Sequence, residues 1–292
     1  MSRSAPGRST TVIRVETLRV GSEPFPGYRL TRFLGRGAYG EVWEAASEER
    51  PNVAMKFLPC ENSSNATQEV RGLEAIRKLR HRYLLDVDKV WCAAGYVVMS
   101  MELAEGSLLD LLDVYLTEMG KPIVPKHLCH FLTQAASAID FLNARQHLID
   151  GRRVAVRHCD IKPSNLLLMP DGSVKVSDFT LAVQTTSTMD YHRRAGTLAF
   201  VAPEVFQRQL SERTDQYALA ISYCQLRGNR MPFTDTPAKF VQTYVRPAPD
   251  LSMLPPEERP IIARALAPVP QDRWPSCMEL MHRLTQCHEK AR

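Results

Sequence analysis

Residues 158–168 read His158-Cys159-Asp160-Ile161-Lys162-Pro163-Ser164-Asn165-Leu166-Leu167-Leu168. At about one in twenty per fixed letter, the His, Asp, Lys, Pro and Asn of this stretch fall in register by chance in roughly one chain of this length in ten thousand. Eighteen residues after Asp160 lies Asp178, in Val176-Ser177-Asp178-Phe179, and further on comes Ala202-Pro203-Glu204. Each piece taken singly reads as a turn or a cap. Their occurrence together in this order does not.

Upstream stands Gly35-Arg36-Gly37-Ala38-Tyr39-Gly40, a G-x-G-x-x-G. A dinucleotide site needs a helix directly after the glycines, so that its N-terminus meets the pyrophosphate, whereas EVWEA and NVAMKFL both read as strands. A Walker loop fails too, because no Gly-Lys-Ser/Thr follows. Strand, glycine hairpin and strand can instead fold over a triphosphate, the backbone approaching because no side chain intervenes. By itself the motif serves equally well as a plain glycine turn. Sixteen residues past Gly40, Ala54-Met55-Lys56 sits mid-strand. A strand lysine is ordinarily a solvated edge residue, but strand alternation one strand after a glycine hairpin aims this one back under it.

Around these motifs the apolar period changes. Short alternating runs from Tyr28 predict strands, resuming at 84–90 and 96–101, with one helix at 67–80 capped by Thr67. Beyond Gly106, SLLDLLDVYLTEM, HLCHFLTQAASAIDFLNA, TDQYALAISYCQLR, ERPIIARALA and CMELMHRLTQCHEK carry helical spacing. Strand-rich first and helix-rich later means an α+β chain with two lobes joined near residues 102–106. Residues 1–24 read as a flexible basic lead-in, 25–102 as the first lobe and 103–292 as the second, with one domain spanning about 28–285.

The 292 residues leave ample sequence for a core, and 44% hydrophobic with 24% charged residues excludes collagen-like and wholly disordered chains. Of the net charge of +5, most resides in the first 32 residues, which hold six Arg and two Glu. A solvated basic arm on a balanced domain argues against a domain-wide nucleic-acid footprint, so no nucleic-acid partner is expected. Seven widely spaced cysteines without a C-x-x-C pair suggest neither a disulfide framework nor a zinc knuckle, and fit a reducing, cytoplasmic setting. No apolar run of membrane length and no signal-peptide pattern occurs, so a membrane span is not expected.

With these motifs in order, the chain resembles the eukaryotic-type (Hanks-type) protein kinases over about residues 28–285, most closely the Ser/Thr branch and, in its overall wording, bacterial members. The resemblance implies a bilobal fold, with a small antiparallel β-sheet lobe carrying one helix and a larger, mainly α-helical lobe. It implies an ATP-dependent transfer of the γ-phosphate to a Ser or Thr of a protein substrate. Gly35, Gly37 and Gly40 would cover the phosphates of ATP, while Leu34, Val42, Ala54 and Leu167 would sandwich adenine. Met101 would be the gatekeeper, with Glu102 and Leu103 as the hinge, and Lys56 would hold the α- and β-phosphates. Asp160 would accept the hydroxyl proton as catalytic base, Lys162 would contact the γ-phosphate, and Asn165 and Asp178 would hold Mg2+. For the partner of Lys56, Glu69 is preferred over Glu74 because it shares a helix face with Leu73 and Ile76. By the same resemblance Thr197 would bond near Asp160 and Lys162, Asp215 would tie down the 158–165 loop, and Glu204 would pair with Arg273.

Two departures from the family pattern stand out. Cys159 replaces the arginine that would bind a phosphorylated activation loop, although Thr185, Thr186, Ser187 and Thr188 offer acceptors. Thr180 replaces a glycine after Phe179; a β-branched residue resists positive φ, which should hold Asp178 inward. Two other functions compete with an active kinase. One is a pseudokinase or nucleotide-binding scaffold, against which Lys56, Asp160, Asn165 and Asp178 weigh. The other is a small-molecule phosphotransferase, against which Thr197 and Ala202-Pro203-Glu204 weigh.

Overall fold

The alternation that starts at Tyr28 becomes a five-stranded antiparallel sheet in the computed structural model, which describes residues 18–37, 40–47, 51–60, 63–93, 95–184 and 197–290. Its strands are β1 (Arg29–Gly37), β2 (Gly40–Ala46), β3 (Val53–Pro59), β4 (Val87–Ala93) and β5 (Tyr96–Glu102), in the order β1-β2-β3-β5-β4. Strand register sorts the side chains into two faces. On one face Leu30, Trp43, Ala45, Met55, Phe57 and Val98 form an apolar cluster, with Leu18, Phe25, Trp91 and Tyr96 packed against it. On the other, Val42 lies opposite Lys56 and Lys56 opposite Met99, while Glu44, Ala54 and Met101 form the next row. Helix α1 (Ser63–Arg77) packs on β4 and β5.

Three expectations shift here. The helix starts at Ser63, not Thr67, so Thr67 is interior; its first turns are polar, and a boundary drawn from the apolar stripe beginning at Val70 misses them. Leu84 and Leu85 do not open β4. Leu84 bridges Val176 and the Leu85 N–H donates to the Val176 carbonyl at 2.9 Å. Residues 18–24 are tied down, with the Gly21 N–H on Leu30 O at 2.7 Å and the Leu30 N–H on Ser22 O at 2.9 Å; residues 1–17 of the expected lead-in lie outside the described residues.

The chain divides into two compact units, one of Met1–Lys78 and Asp86–Leu103, the other of Leu79–Leu85 and Ala104–Arg292. In the second, β6 (Gly106–Ser107) leads into α2 (Leu108–Met119), whose start is fixed by a capping box. There the Ser107 N–H donates to Asp110 Oδ2 at 2.7 Å and the Asp110 N–H to Ser107 Oγ at 3.2 Å. The long α3 (Pro125–Asn143) is the central helix, packed on the strand Val174–Val176 and on the helices Thr214–Gly228 and Cys277–Lys290. After it come a hairpin, β7 (His147–Ile149) with β8 (Arg152–Val154), then β9 (Val156–Arg157), β10 (Leu166–Leu168), β11 (Val174–Val176) and β12 (Val183–Gln184). Helices α4 (Pro203–Phe206), α5 (Thr214–Gly228), α6 (Arg259–Ala265) and α7 (Cys277–Lys290) complete the unit. Among the described residues no helix is long and apolar enough to cross a membrane.

Candidate active site

The first unit supplies one group of the expected residues. Val42, Ala54, Lys56 and Met101 share the sheet face opposite the apolar cluster, because each is one residue out of phase with Trp43, Met55 or Val98. Lys56 is buried at 7% exposure, so its amine is withdrawn from bulk water, unlike the solvated edge lysine of the bland alternative. The three glycines are not equivalent. A Cβ on Gly35 or Gly37 would meet nothing within 4 Å, whereas one on Gly40 would sit 2.0 Å from the Phe57 carbonyl oxygen. Gly40 is therefore demanded by the backbone of β3, whereas Gly35 and Gly37 face open space.

Leu34 is exposed and Leu103 half-buried. The Glu102 N–H is committed to Asp86 O at 3.2 Å, and its carboxylate takes the Asp86 N–H at 2.6 Å. Of the two candidates for Lys56, Glu74 is engaged by Arg77, whose Nη2 lies 2.9 Å from it and whose Nη1 reaches Asp88 O at 2.6 Å. Glu69 lies in α1, one turn before Leu73; its side chain is outside the described residues, as are Ala38 and Tyr39.

In the second unit the 158–165 loop is built around the Asp160 carboxylate. Its Oδ2 accepts from Lys162 Nζ at 2.8 Å and from Asn165 Nδ2 at 2.9 Å. Its Oδ1 accepts from the Thr197 N–H at 3.1 Å and has a longer contact, 3.4 Å, with Thr197 Oγ1. Lys162 Nζ also donates to Thr197 Oγ1 at 2.8 Å, closing a ring of three side chains separated in sequence by up to 37 residues. The Pro163–Asn165 3-10 turn carries Asn165 back toward Asp160, whose own carbonyl also takes its Nδ2 at 2.8 Å.

The loop is held from beneath. Asp215, buried in the first turn of α5, accepts the His158 N–H through Oδ2 and the Cys159 N–H through Oδ1, both at 2.9 Å. Cys159 takes a left-handed φ of 64°, unfavourable for a side chain with a Cβ, and these two bonds hold it there. His158 is fully buried. Its Nδ1 accepts the Asp160 N–H at 3.3 Å, so Nε2 carries the proton and donates to Ser177 O at 2.8 Å, which makes the ring the neutral Nε2–H tautomer. That bond joins the loop to the Asp178 segment, as does the edge contact of His158 with Phe179 at 5.3 Å. Arg157, two residues before Cys159, gives its Nη1 to Asn143 Oδ1 at 2.8 Å, and burial holds its pKa below the ordinary guanidinium value.

At the second departure the positive φ falls on Asp178 itself, at 64°, and Thr180 lies inside the Phe179–Leu181 3-10 turn. Threonine is tolerated for that reason. Its hydroxyl donates to Asp178 Oδ1 at 2.6 Å, a bond a glycine could not make. Backbone bonds place this segment beside Asn165, since the Ser177 N–H donates to Asn165 O at 2.9 Å. Downstream, Glu204 and Arg273 form the expected pair, fork to fork at 2.9 and 2.7 Å. Sequence inspection missed the Thr180 hydroxyl and the short helix α4; four residues are too few to show a period.

An Asp160 carboxylate ringed by donors and braced through the buried Asp215, and a sheet face carrying the buried Lys56, match the pattern of a protein kinase domain. The chain belongs to the protein kinase family: the family model described as protein kinase domain matches residues 28–292. It is similar to the serine/threonine-protein kinase PknH of Mycobacterium bovis, 31% identical over 275 residues, covering 90% of this chain and 44% of PknH. PknF of Mycobacterium tuberculosis is 29% identical over 284 residues, covering 89% of this chain and 57% of PknF. The CBL-interacting protein kinase 4 of Oryza sativa subsp. japonica is 31% identical over 226 residues, covering 73% of this chain and 47% of that kinase. The chain thus spans about half the length of these relatives. The bilobal kinase fold and the resemblance to Ser/Thr kinases, bacterial ones among them, are borne out, and the family implies ATP, a divalent cation and a protein substrate.

Proposed function

We propose that this chain is an ATP-dependent protein Ser/Thr kinase with Asp160 as its catalytic base. The observation that carries this reading is the Asp160–Lys162–Asn165–Thr197 ring. It saturates Oδ2 with two short donors and leaves Oδ1, with one short and one long contact, as the oxygen able to take an incoming hydroxyl. In a loose phosphoryl-transfer transition state the hydroxyl proton leaves late, so the carboxylate mainly orients the nucleophile, and a rigidly held aspartate suits that task. Lys162 stands beside it to meet γ-phosphate charge. Lys56, partnered by Glu69, would hold the α- and β-phosphates beneath Gly35, Gly37 and Gly40. Leu34, Val42, Ala54, Met101 and Leu167 would pack on the base, and the carbonyl of Glu102 with the backbone of Leu103 would bond its edge.

The residues fit Mg2+ as the cation. Asn165 commits its NH2 to Asp160, so its Oδ1 and the Asp178 carboxylate would be the oxygen ligands. Among the described residues no cluster of three or more His, Cys, Asp or Glu could cage a metal. Mg2+ is ordinarily held by one or two such oxygens with substrate phosphates and water. When bound, the ion neutralises phosphate charge as it transfers.

The test is transfer of label from γ-labelled ATP to a generic protein acceptor, with phosphoserine or phosphothreonine recovered. Label in neither, or only in tyrosine, would refute the reading. Two further outcomes follow from the departures. With a cysteine at 159, turnover is expected to stay within about twofold after phosphatase treatment; its loss would show that phosphate on the 185–188 stretch, which lies outside the described residues, is required. Thr180→Val keeps the shape and deletes the hydroxyl on Asp178. It is expected to weaken Mg2+-dependent nucleotide binding about ten- to a hundredfold, the worth of one bond to a charged group, in a fluorescence titration with a nucleotide analogue. Unchanged affinity would show that the hydroxyl does not set the carboxylate.

A further inference from the structure

The stretch 234–249 has no helix or strand, and Arg246 is the only one of its residues that is buried. Loops of this length inside a compact unit are uncommon unless they serve a site. A cation is an expensive group to bury, and an apolar side chain would anchor a loop more cheaply unless its donors are needed. They are needed by the turn that carries Thr197.

The Leu198–Phe200 turn is a single 3-10 turn followed by Ala202-Pro203; within it Leu198 O takes the Val201 N–H at 3.3 Å, and the proline beyond it has no N–H to give. Arg246 supplies the donors. Its Nε reaches Val201 O at 3.0 Å, and its Nη2 reaches Leu198 O at 2.5 Å and Ala199 O at 3.1 Å. The guanidinium lies among three rings, 4.8 Å from Phe233, 5.8 Å from Phe206 and 5.9 Å from Tyr217, which hold it by cation–π attraction. Its Nη1 is buried without a partner among the described residues. Burial lowers its pKa, an effect opposed by Tyr217 and Tyr244. Phe240 and Tyr244 bring the rest of the loop onto Phe206, at 5.4 and 5.0 Å. The planar fork reaches the carbonyls of Leu198, Ala199 and Val201 from two separate nitrogens in a fixed plane, a spacing that the single nitrogen of an ammonium does not reproduce.

We infer that Arg246 is a positioning residue for phosphotransfer: it fixes the 198–201 turn so that Thr197 holds Asp160 and Lys162 at their spacing. The inference rests on the kinase reading above, on which a protein acceptor meets this turn. The experiment compares the full chain with Arg246→Lys and Arg246→Met. The expected result is a fall in kcat/KM for the protein acceptor of about ten- to a hundredfold in Arg246→Met and a smaller one in Arg246→Lys, with the KM for ATP within about twofold. Amides of Phe200 and Val201 should exchange hydrogen at least about tenfold faster in both variants. Acceptor kinetics within twofold of the parent, or KM for ATP rising in step with the acceptor defect, would overturn it. If Arg246→Met does not fold, Arg246→Lys decides on the same readouts. If the parent transfers no phosphate, the kinase reading fails, and exchange at Phe200 and Val201 alone judges Arg246: unchanged rates refute its hold on the turn.

Discussion

Asp160→Asn is expected to lower kcat for transfer to protein by at least about a hundredfold, and up to about ten-thousandfold, the span of a lost general base. The change is nearly isosteric, so the loss is one of chemistry. All four contacts of the carboxylate come from donors: Lys162 Nζ, Asn165 Nδ2, and the N–H and hydroxyl of Thr197. An amide in its place must turn its NH2 toward either the Oδ1 or the Oδ2 partners, setting donor against donor, and it offers no charge to orient a hydroxyl. The residues of the first unit proposed to bind nucleotide are untouched, so the KM for ATP should change less than about threefold. A coupled assay for ADP and a labelled-transfer assay read the two quantities; kcat within tenfold of the parent would remove Asp160 from the role proposed.

The largest structural effect is expected at Arg273. Arg273→Leu should destabilise the second unit by about 3–5 kcal/mol, the cost of leaving one half of a buried ion pair behind. Arg273 is 1% exposed and Glu204 5%. Besides Glu204, the guanidinium donates to Ala267 O at 2.8 Å, Arg213 O at 3.0 Å and Pro268 O at 3.2 Å, and it lies 4.8 Å from the Tyr217 ring. Leucine removes all of these and strands a carboxylate whose remaining partners are the hydroxyls of Thr214, at 2.9 Å, and Ser211, at 3.3 Å. Urea denaturation would show the midpoint fall, and Glu204→Gln combined with Arg273→Leu should cost less than the two changes summed. A shift of under about 1 kcal/mol, or strict additivity, would mean that the pair contributes little. Tyr217 is shared with Arg246, and burial raises the pKa of its phenol against the opposing pull of the two guanidiniums.

Much of the candidate site was legible in the letters because the chemistry is local. Asp160, Lys162 and Asn165 lie within six residues, and one turn suffices to bring them together. The helices of the second unit were equally plain, since an apolar stripe must face a core wherever that core lies. The pairings of Glu204 with Arg273 and of Asp215 with the 158–159 backbone span 69 and 57 residues. They came from family resemblance, because no local pattern encodes a partner that far away. The hairpin of β7 and β8 had its signal in Asp150-Gly151, both with positive φ at 49° and 75°, as a two-residue hairpin turn requires.

Periodicity alone determined the division into a strand-rich and a helix-rich part, and the motifs, through the family they resemble, implied the class of chemistry and the charged groups that transfer needs. Tertiary structure alone decided which backbone groups lacked partners, and therefore what several residues are for. Gly40 is glycine because the Phe57 carbonyl leaves no room for a Cβ. Thr180 is acceptable because the left-handed residue is Asp178. Leu84 and Leu85 serve Val176 and not β4. Arg246, in a polar and irregular stretch with no period, is buried where it donates to three carbonyls of a distant turn, Leu198, Ala199 and Val201. Periodicity reports where apolar surface must go; the needs of backbone donors and acceptors appear only once the chain has turned back on itself.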